Sequence, residues 1–147
     1  MMLKLKLSAC AIMKDEEKNI ACWLRNMQQL ADEIIVVDTG SVDRTAELAR
    51  EGGAEVYPFS WCDDFAAAKN FALEQATGDW ILFLDADEYF SAEALPRVRA
   101  IIENFHANKR IAGLVSPWIC INPENHNALI LSGHQVRIFR NERALRY

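Results

Sequence analysis

The feature that most constrains this chain is an unbroken apolar run, Trp80-Ile81-Leu82-Phe83-Leu84, that passes directly into Asp85-Ala86-Asp87-Glu88. A second run, Glu33-Ile34-Ile35-Val36-Val37, ends the same way in Asp38-Thr39-Gly40-Ser41. Short apolar runs without alternation are the mark of strands buried on both faces, as in parallel sheets. Between them lie stretches with helical spacing. Ile20, Trp23, Leu24, Met27 and Leu30 form one apolar stripe. Phe65, Ala68, Phe71, Ala72 and Gln75 approach another. Strand and helix therefore alternate, which implies right-handed crossovers and a parallel sheet.

Local signals place the remaining boundaries. Leu3, Leu5 and Leu7 alternate with Lys4, Lys6 and Ser8, and an apolar run to Met13 completes a first strand. Asp15 is expected to cap the first helix and Ser41 the second, Val42 to Arg50, which Gly52-Gly53 stops. Ala54 to Tyr57 reads as a third strand, and Asp63 or Asp64 opens the next helix. Ser91 is expected to cap a helix through Phe105. Ile111 to Ile121 and Leu129 to Arg140 read as two further, antiparallel strands joined by a polar loop.

The 147 residues suit a single domain. With 16 Lys+Arg against 21 Asp+Glu the net charge is −5, too acidic for a general nucleic-acid binder. No apolar run approaches the ~20 residues of a membrane span. Leu7-Ser8-Ala9-Cys10 looks like a lipoprotein cleavage box, but Lys4 and Lys6 interrupt the apolar core that a signal requires. Cys10, Cys22, Cys62 and Cys120 lack metal-ligand spacing and read as small buried residues in a reducing compartment. His106 reads as a surface residue, His126 as part of a polar loop, and His134 as a strand residue near the site.

Ligands of open α/β sheets bind beyond the carboxyl ends of the strands. Three polar clusters fall there: Lys14-Asp15-Glu16-Glu17, Asp38-Thr39-Gly40-Ser41 and Asp85-Ala86-Asp87-Glu88. They are expected to converge. On extended backbone Asp85 and Asp87 would point the same way and offer oxygen ligands to Mg²⁺ or Mn²⁺, beside substrate phosphates. The bland alternative is a solvated acidic loop. Asp38 could accept hydrogen bonds from a base or ribose, though Asp, Gly and Ser also form turns unaided. Lys69 could reach a diphosphate or simply be solvated. Trp61 and Phe65 read as core rather than sugar platforms. No GxGxxG, P-loop, nucleophile elbow or Ser-His-Asp pattern occurs. Asp38-Thr39-Gly40 occurs in aspartic proteases too, but those need an all-β setting.

Four ordered segments together resemble the family 2 glycosyltransferases, which are inverting enzymes. These are Ala11 to Glu17, Ile34 to Thr45, Ala67-Ala68-Lys69-Asn70 and Gly78 to Glu88. Trp61-Cys62-Asp63-Asp64-Phe65 is similar to the bacterial branch with lipopolysaccharide-core glucosyltransferases and peptide S-glycosyltransferases. The resemblance implies a GT-A fold, a Rossmann-like three-layer α/β/α domain with a mainly parallel sheet over residues 1–147. It implies that Ile12, Lys14 and Glu16 line the nucleotide and Asp38 binds the base. Ser41 and Lys69 lie near the nucleotide or its diphosphate, Asp85 contacts the ribose side, and Asp87, with Asp85, holds Mg²⁺ or Mn²⁺.

The implied donor is a nucleotide sugar, chiefly a UDP-sugar. The acceptor is a saccharide, lipid-linked or peptide group. The implied location is cytoplasmic, at or near the inner membrane face. Lys69 stands where the family usually has Arg. Relatives of the branch continue past a segment like Val136-Arg137-Ile138-Phe139-Arg140-Asn141 into a Gly and a His-Glu pair whose acid is a candidate base. The chain is therefore expected to lack its acceptor part, with the base beyond Tyr147, and the surface this leaves could pair two copies. Glu88 and Glu124 are the substitute bases within the chain. Competing readings are a non-catalytic nucleotide-sugar scaffold, a haloacid-dehalogenase-type phosphatase and a sugar nucleotidyltransferase. The last two place their motifs after the first strand.

Overall fold

The computed structural model describes residues 4–147. Its elements run β1 (Leu7–Met13), α1 (Ile20–Gln28), β2 (Glu33–Asp38), α2 (Thr45–Glu51), β3 (Glu55–Pro58), α3 (Phe65–Gln75), β4 (Trp80–Phe83), α4 (Leu95–His106), β5 (Gly113–Asn122) and β6 (Ala128–Arg140). Among the described residues, six strands form one sheet in the order β3-β2-β1-β4-β6-β5. The first four are parallel and β6 joins β4 antiparallel, as the alternation of elements requires. The first strand begins at Leu7, and Lys4 to Lys6 before it are not in a strand. The expected start at Met2 and Leu3 lies outside the described residues.

Alternation within each strand sorts the core onto two faces. Leu7, Ala9, Ala11, Trp80 and Leu82 pack with the α1 stripe, Ala49 of α2, and Val98 and Ile102 of α4. Cys10, Ile35, Val37, Ile81 and Phe83 pack with Ala72 and Leu73 of α3. The result is the expected α/β/α sandwich. Every member of the α1 stripe is buried. α3 behaves differently at its start. Asp64 accepts from the Ala67 N–H and caps the helix, whereas Phe65 is exposed.

Two expected caps serve other purposes. Asp15 does not cap α1. It adopts a positive φ of 55° and accepts from the Val42 N–H at 2.8 Å. Ser41 does not cap α2, which begins at Thr45, where the Asp43 carboxylate accepts the Thr45 N–H instead. Ser91 caps the turn that leads into α4: its Oγ accepts the Ala94 N–H at 3.3 Å and its carbonyl the Leu95 N–H.

At the far end of α4, Arg140 is buried and has no acidic partner among the described residues. Its guanidinium donates to the carbonyls of Phe105, His106, Asn108 and Ile111 and lies 4.6 Å from the Trp80 ring centre. A cation at a helix C-terminus is favoured by the exposed carbonyls and their dipoles. His106 is accordingly not a free surface group, since its Nδ1 accepts from the Trp80 indole at 3.1 Å.

β5 and β6 form a long hairpin. Ile138 of β6 lies beside Leu82 of β4, and the residues from Arg137 back to Ala128 continue past the carboxyl edge of the parallel strands. Val115, Ile119, Leu129, Ile130, Leu131 and Val136 of this hairpin are exposed. No helix among the described residues is long and apolar enough to cross a membrane.

Candidate functional site at the carboxyl edge of the sheet

The first two polar clusters interlock. β1 and β2 run in register to Met13 and Asp38, so their following loops leave the sheet side by side. The Asp15 N–H donates to Ser41 Oγ at 3.0 Å, Glu16 N–H to Thr45 Oγ1 at 2.8 Å and Glu17 N–H to Asp43 Oδ2 at 3.1 Å. Nearly every polar group here is spent on fixing one loop against the other. Lys14 projects into solvent, Ile12 is half-buried, and the Glu16 carboxylate accepts from Asn19 at 2.8 Å.

Asp38 is the exception. Its Oδ2 accepts from the Gly40 and Ser41 N–H groups at 3.3 and 3.2 Å, while its Oδ1 is buried with no partner among the described residues. Gly40 makes this turn feasible with φ of 105°, a region that other residues avoid. A buried carboxylate oxygen without a donor is costly. Such an oxygen can accept a hydrogen bond from an N–H or O–H donor brought to it.

The third cluster follows β4, which pairs with β1 and so opens on the same edge. Asp85 and Asp87 do not lie on extended backbone as expected. The Glu88 N–H closes on the Asp85 carbonyl at 3.0 Å, so Ala86 and Asp87 occupy a turn. Asp85 is half-buried, Ala86 is buried and Asp87 is exposed. Among the described residues the Asp87 carboxylate has neither a hydrogen bond nor an ion pair. Glu88 is engaged on both oxygens, by the Asp85 N–H at 2.9 Å, the Trp118 indole at 3.1 Å and the Arg137 guanidinium. It is a clamp and not a free base. Glu124 sits at the exposed hairpin tip, about ten residues along β6 from the β4 pairing and so roughly 30 Å away.

Among the described residues, no three carboxylate, imidazole or thiolate groups gather into an ion-binding set. The Asp85 and Asp87 carboxylates are nevertheless hard oxygen donors of the type that Mg²⁺ and Mn²⁺ take, and such ions commonly draw their remaining ligands from substrate phosphates and water. The residues fit a cation that arrives with a diphosphate.

Lys69 of α3 stands beside the same strand. Its ammonium lies 5.4 Å from the ring centre of Phe83 and 4.6 Å from that of Tyr147. Asn70 holds the Tyr147 backbone by a reciprocal pair of hydrogen bonds at 2.9 and 3.0 Å. Burial raises the Tyr147 hydroxyl above its ordinary range.

Trp61 and Phe65 are not core. They stack edge to face at 4.7 Å on the surface beyond β3, with the Trp61 indole donating to Asp63 at 2.9 Å. Of the cysteines only Cys10 is buried, where burial pushes its thiol up; Cys22 and Cys62 are exposed. His134 lies on the exposed hairpin. Sequence reasoning missed Arg137 and Trp118 as site residues. The segment around Arg137 was visible as a family feature, but nothing local to it reveals a contact with Asp85 and Glu88.

A doubly covered, mainly parallel sheet with acidic turns at its carboxyl edge is the GT-A arrangement of nucleotide-sugar transferases. The structure is similar to the Pyrobaculum calidifontis mannosyltransferase in complex with GDP-Man and Mn²⁺, with a TM-score of 0.64 and 20% identity over 84% of this chain and 37% of that one. It is also similar to Mycobacterium tuberculosis glucosyl-3-phosphoglycerate synthase in complex with Mn²⁺, UDP and glucosyl-3-phosphoglycerate, with a TM-score of 0.59 and 21% identity over 74% and 42%. These two likenesses establish the fold.

The family model described as "Glycosyl transferase family 2" matches residues 8–117, and the chain belongs to that family. A TPR repeat-containing protein of Synechococcus elongatus is 36% identical over 97% of this chain and 33% of its own length. The SPbeta prophage-derived glycosyltransferase SunS of Bacillus subtilis is 34% identical over 74% of this chain and 26% of its own. The chain spans about a third of the length of the first curated relatives that it matches.

Proposed function

We propose that this domain binds a nucleoside-diphosphate sugar, with UDP as the nucleotide, and serves its transfer to an acceptor with inversion at the anomeric carbon. The observation that carries the reading is the buried, unpartnered Oδ1 of Asp38 on the edge where β4 delivers Asp85 and Asp87. Asp38 would accept a hydrogen bond from the base, as a carboxylate held in a fixed turn can do without reorganisation. Ile12, Lys14 and Glu16 would line the nucleotide, Ser41 would border it, and Asp85 would face the ribose side. Asp87, with Asp85, would hold Mg²⁺ or Mn²⁺, which neutralises the charge of a departing diphosphate.

Lys69 would need to leave its aromatic neighbours to reach that diphosphate; otherwise it acts on it through space. The base that deprotonates the acceptor is assigned to no residue of this chain, since Glu88 is fully engaged and Glu124 is remote. A place in the branch of peptide S-glycosyltransferases rests on the SunS likeness and on the Trp61 to Phe65 segment. One structural neighbour holds UDP and another GDP-Man, so titration with both nucleotides distinguishes the two bases.

Calorimetric titration with UDP and with GDP, each with and without Mn²⁺, tests the reading beside an Asp87→Ala variant. The expected outcome is Mn²⁺-dependent UDP binding that the variant loses. Binding of neither nucleotide in any condition would refute it. A domain that binds UDP as a non-catalytic scaffold would titrate alike, and is separated by adding a UDP-sugar and following UDP release.

A further inference from the structure

We propose that Arg137 is the resident counter-cation of the Asp85–Glu88 turn, holding Asp85 in reserve until a divalent cation and diphosphate arrive together. The inference rests on the donor-site reading above and adds to it a residue that couples the two ligands. Arg137 is aimed by a defect in the hairpin. Leu114 pairs with Ile138 but Val115 pairs with Val136, so Arg137 is the extra residue of a β-bulge. Bulges turn a side chain out of the regular alternation and recur beside active sites. This one sends a guanidinium back across the sheet edge to the acidic turn.

The two carboxylates are held unequally. Arg137 and Glu88 form the tight ion pair, and both side chains are only 13% exposed. Glu88 is further fixed by Trp118 and the Asp85 N–H. Asp85 is the loose partner, at 3.4 Å and with 46% of its side chain exposed. Among the described residues Arg137 Nε is buried without any acceptor, so the fork is not saturated by these two acids. A guanidinium with an idle donor suits a phosphate oxygen as well as a carboxylate.

The consequence is a competition. In the free protein Arg137 and a cation contend for Asp85, so a cation alone binds weakly. A bound diphosphate offers Arg137 another acceptor, frees Asp85, and strengthens cation binding. By linkage the cation strengthens diphosphate binding by the same factor.

The test is calorimetric titration with Mn²⁺, alone and in saturating UDP, on the wild-type chain, Arg137→Gln and Glu88→Gln. Arg137→Gln should bind Mn²⁺ alone more tightly by roughly 5- to 10-fold, and its enhancement by UDP should be smaller by the same factor, the remainder being direct coordination of the cation by the diphosphate. Glu88→Gln leaves Arg137 to Asp85, so Mn²⁺ alone should bind more weakly and the enhancement by UDP should rise. A merely structural role would weaken Mn²⁺ binding in both variants and leave the enhancement unchanged, which would overturn the proposal. So would variants indistinguishable from wild type. If Arg137→Gln does not fold, the enhancement in Glu88→Gln decides alone: a rise supports the competition, and no change or a fall overturns it. A wild-type chain that takes up neither Mn²⁺ nor UDP would refute the donor-site reading itself, and this inference with it.

Discussion

The two ends of the parallel sheet are both acidic, but only the carboxyl edge leaves some of its carboxylate oxygens open while it engages the rest. At the amino edge Glu33 receives the Ser8 hydroxyl, the Thr77 N–H and hydroxyl, and the Lys6 ammonium at 3.1 Å. Burial opposes its ionisation, but these donors outweigh burial and bring it down to about 2. Asp32 likewise accepts the Leu7 N–H at 2.9 Å and the Arg99 guanidinium at 3.0 Å. At the carboxyl edge Asp38 keeps a buried oxygen without a donor, Asp87 has no partner among the described residues, and Arg137 keeps an idle Nε. Saturated carboxylates hold a fold together; open ones wait for a ligand. The amino edge even carries a surface hollow of about 330 Å³, lined by Lys6, Asp32, Glu33, Gly53 and Glu55 among others. Glu33 and Asp32 of its lining are already consumed, so depth alone does not identify the site.

Changes at the amino edge should strike stability and spare ligand binding. The largest expected effect is Gly78→Ala. A Cβ there would meet Ser8 Oγ at 2.4 Å and Ser8 N at 2.8 Å. The overpacking should cost about 3 kcal/mol in chemical denaturation. Next comes Glu33. A carboxyl with a folded pKa of about 2 and an ordinary value of 4.5 gives stability that is complete above the ordinary value. That stability is lost as pH falls from 4.5 through 2. Unfolding free energies from urea denaturation, measured from pH about 6 down to about 2, should therefore fall further in wild type than in Glu33→Gln, by on the order of 2–3 kcal/mol.

Changes at the carboxyl edge should do the reverse. Asp87→Ala should weaken Mn²⁺-dependent UDP binding by about 100-fold with an unchanged melting temperature. Asp38→Asn keeps an acceptor for the Gly40 and Ser41 N–H groups but removes the charge, and should weaken UDP by about 10-fold. The smallest effect falls on the exposed aromatics: Trp61→Ala should change stability by no more than about 0.5 kcal/mol, which distinguishes a surface pair from a core one. A loss of several kcal/mol there would restore the core reading.

Much of this contrast was legible in the sequence because its signals are local. Ile34 to Val37 and Trp80 to Phe83 announce buried strands, the Ile20 to Leu30 stripe announces α1, and each polar cluster follows its strand directly. The Asp64 cap was legible for the same reason. What failed was long-range. Asp15 and Ser41 have cap chemistry, but each spends it on the facing loop, about 26 residues away. Trp61 and Phe65 are apolar by type, and nothing in their spacing reveals that they lie outside the sandwich. Arg137 reaches its acids only because a bulge, invisible in the pattern of β6, turns it. Glu33 reads in the sequence only as the first residue of the second strand run, and its four donors come from two distant segments, Lys6 to Ser8 and Thr77.

Paramagnetic broadening by Mn²⁺, read amide by amide in the presence of UDP, tests the contrast most directly. The account predicts selective loss of signal at Asp85 to Glu88, weaker loss at Asp38 to Ser41, and intact signals at Asp32, Glu33 and Thr77. Broadening centred on Asp32, Glu33 and Glu55, or spread evenly over the acidic surface, would contradict it.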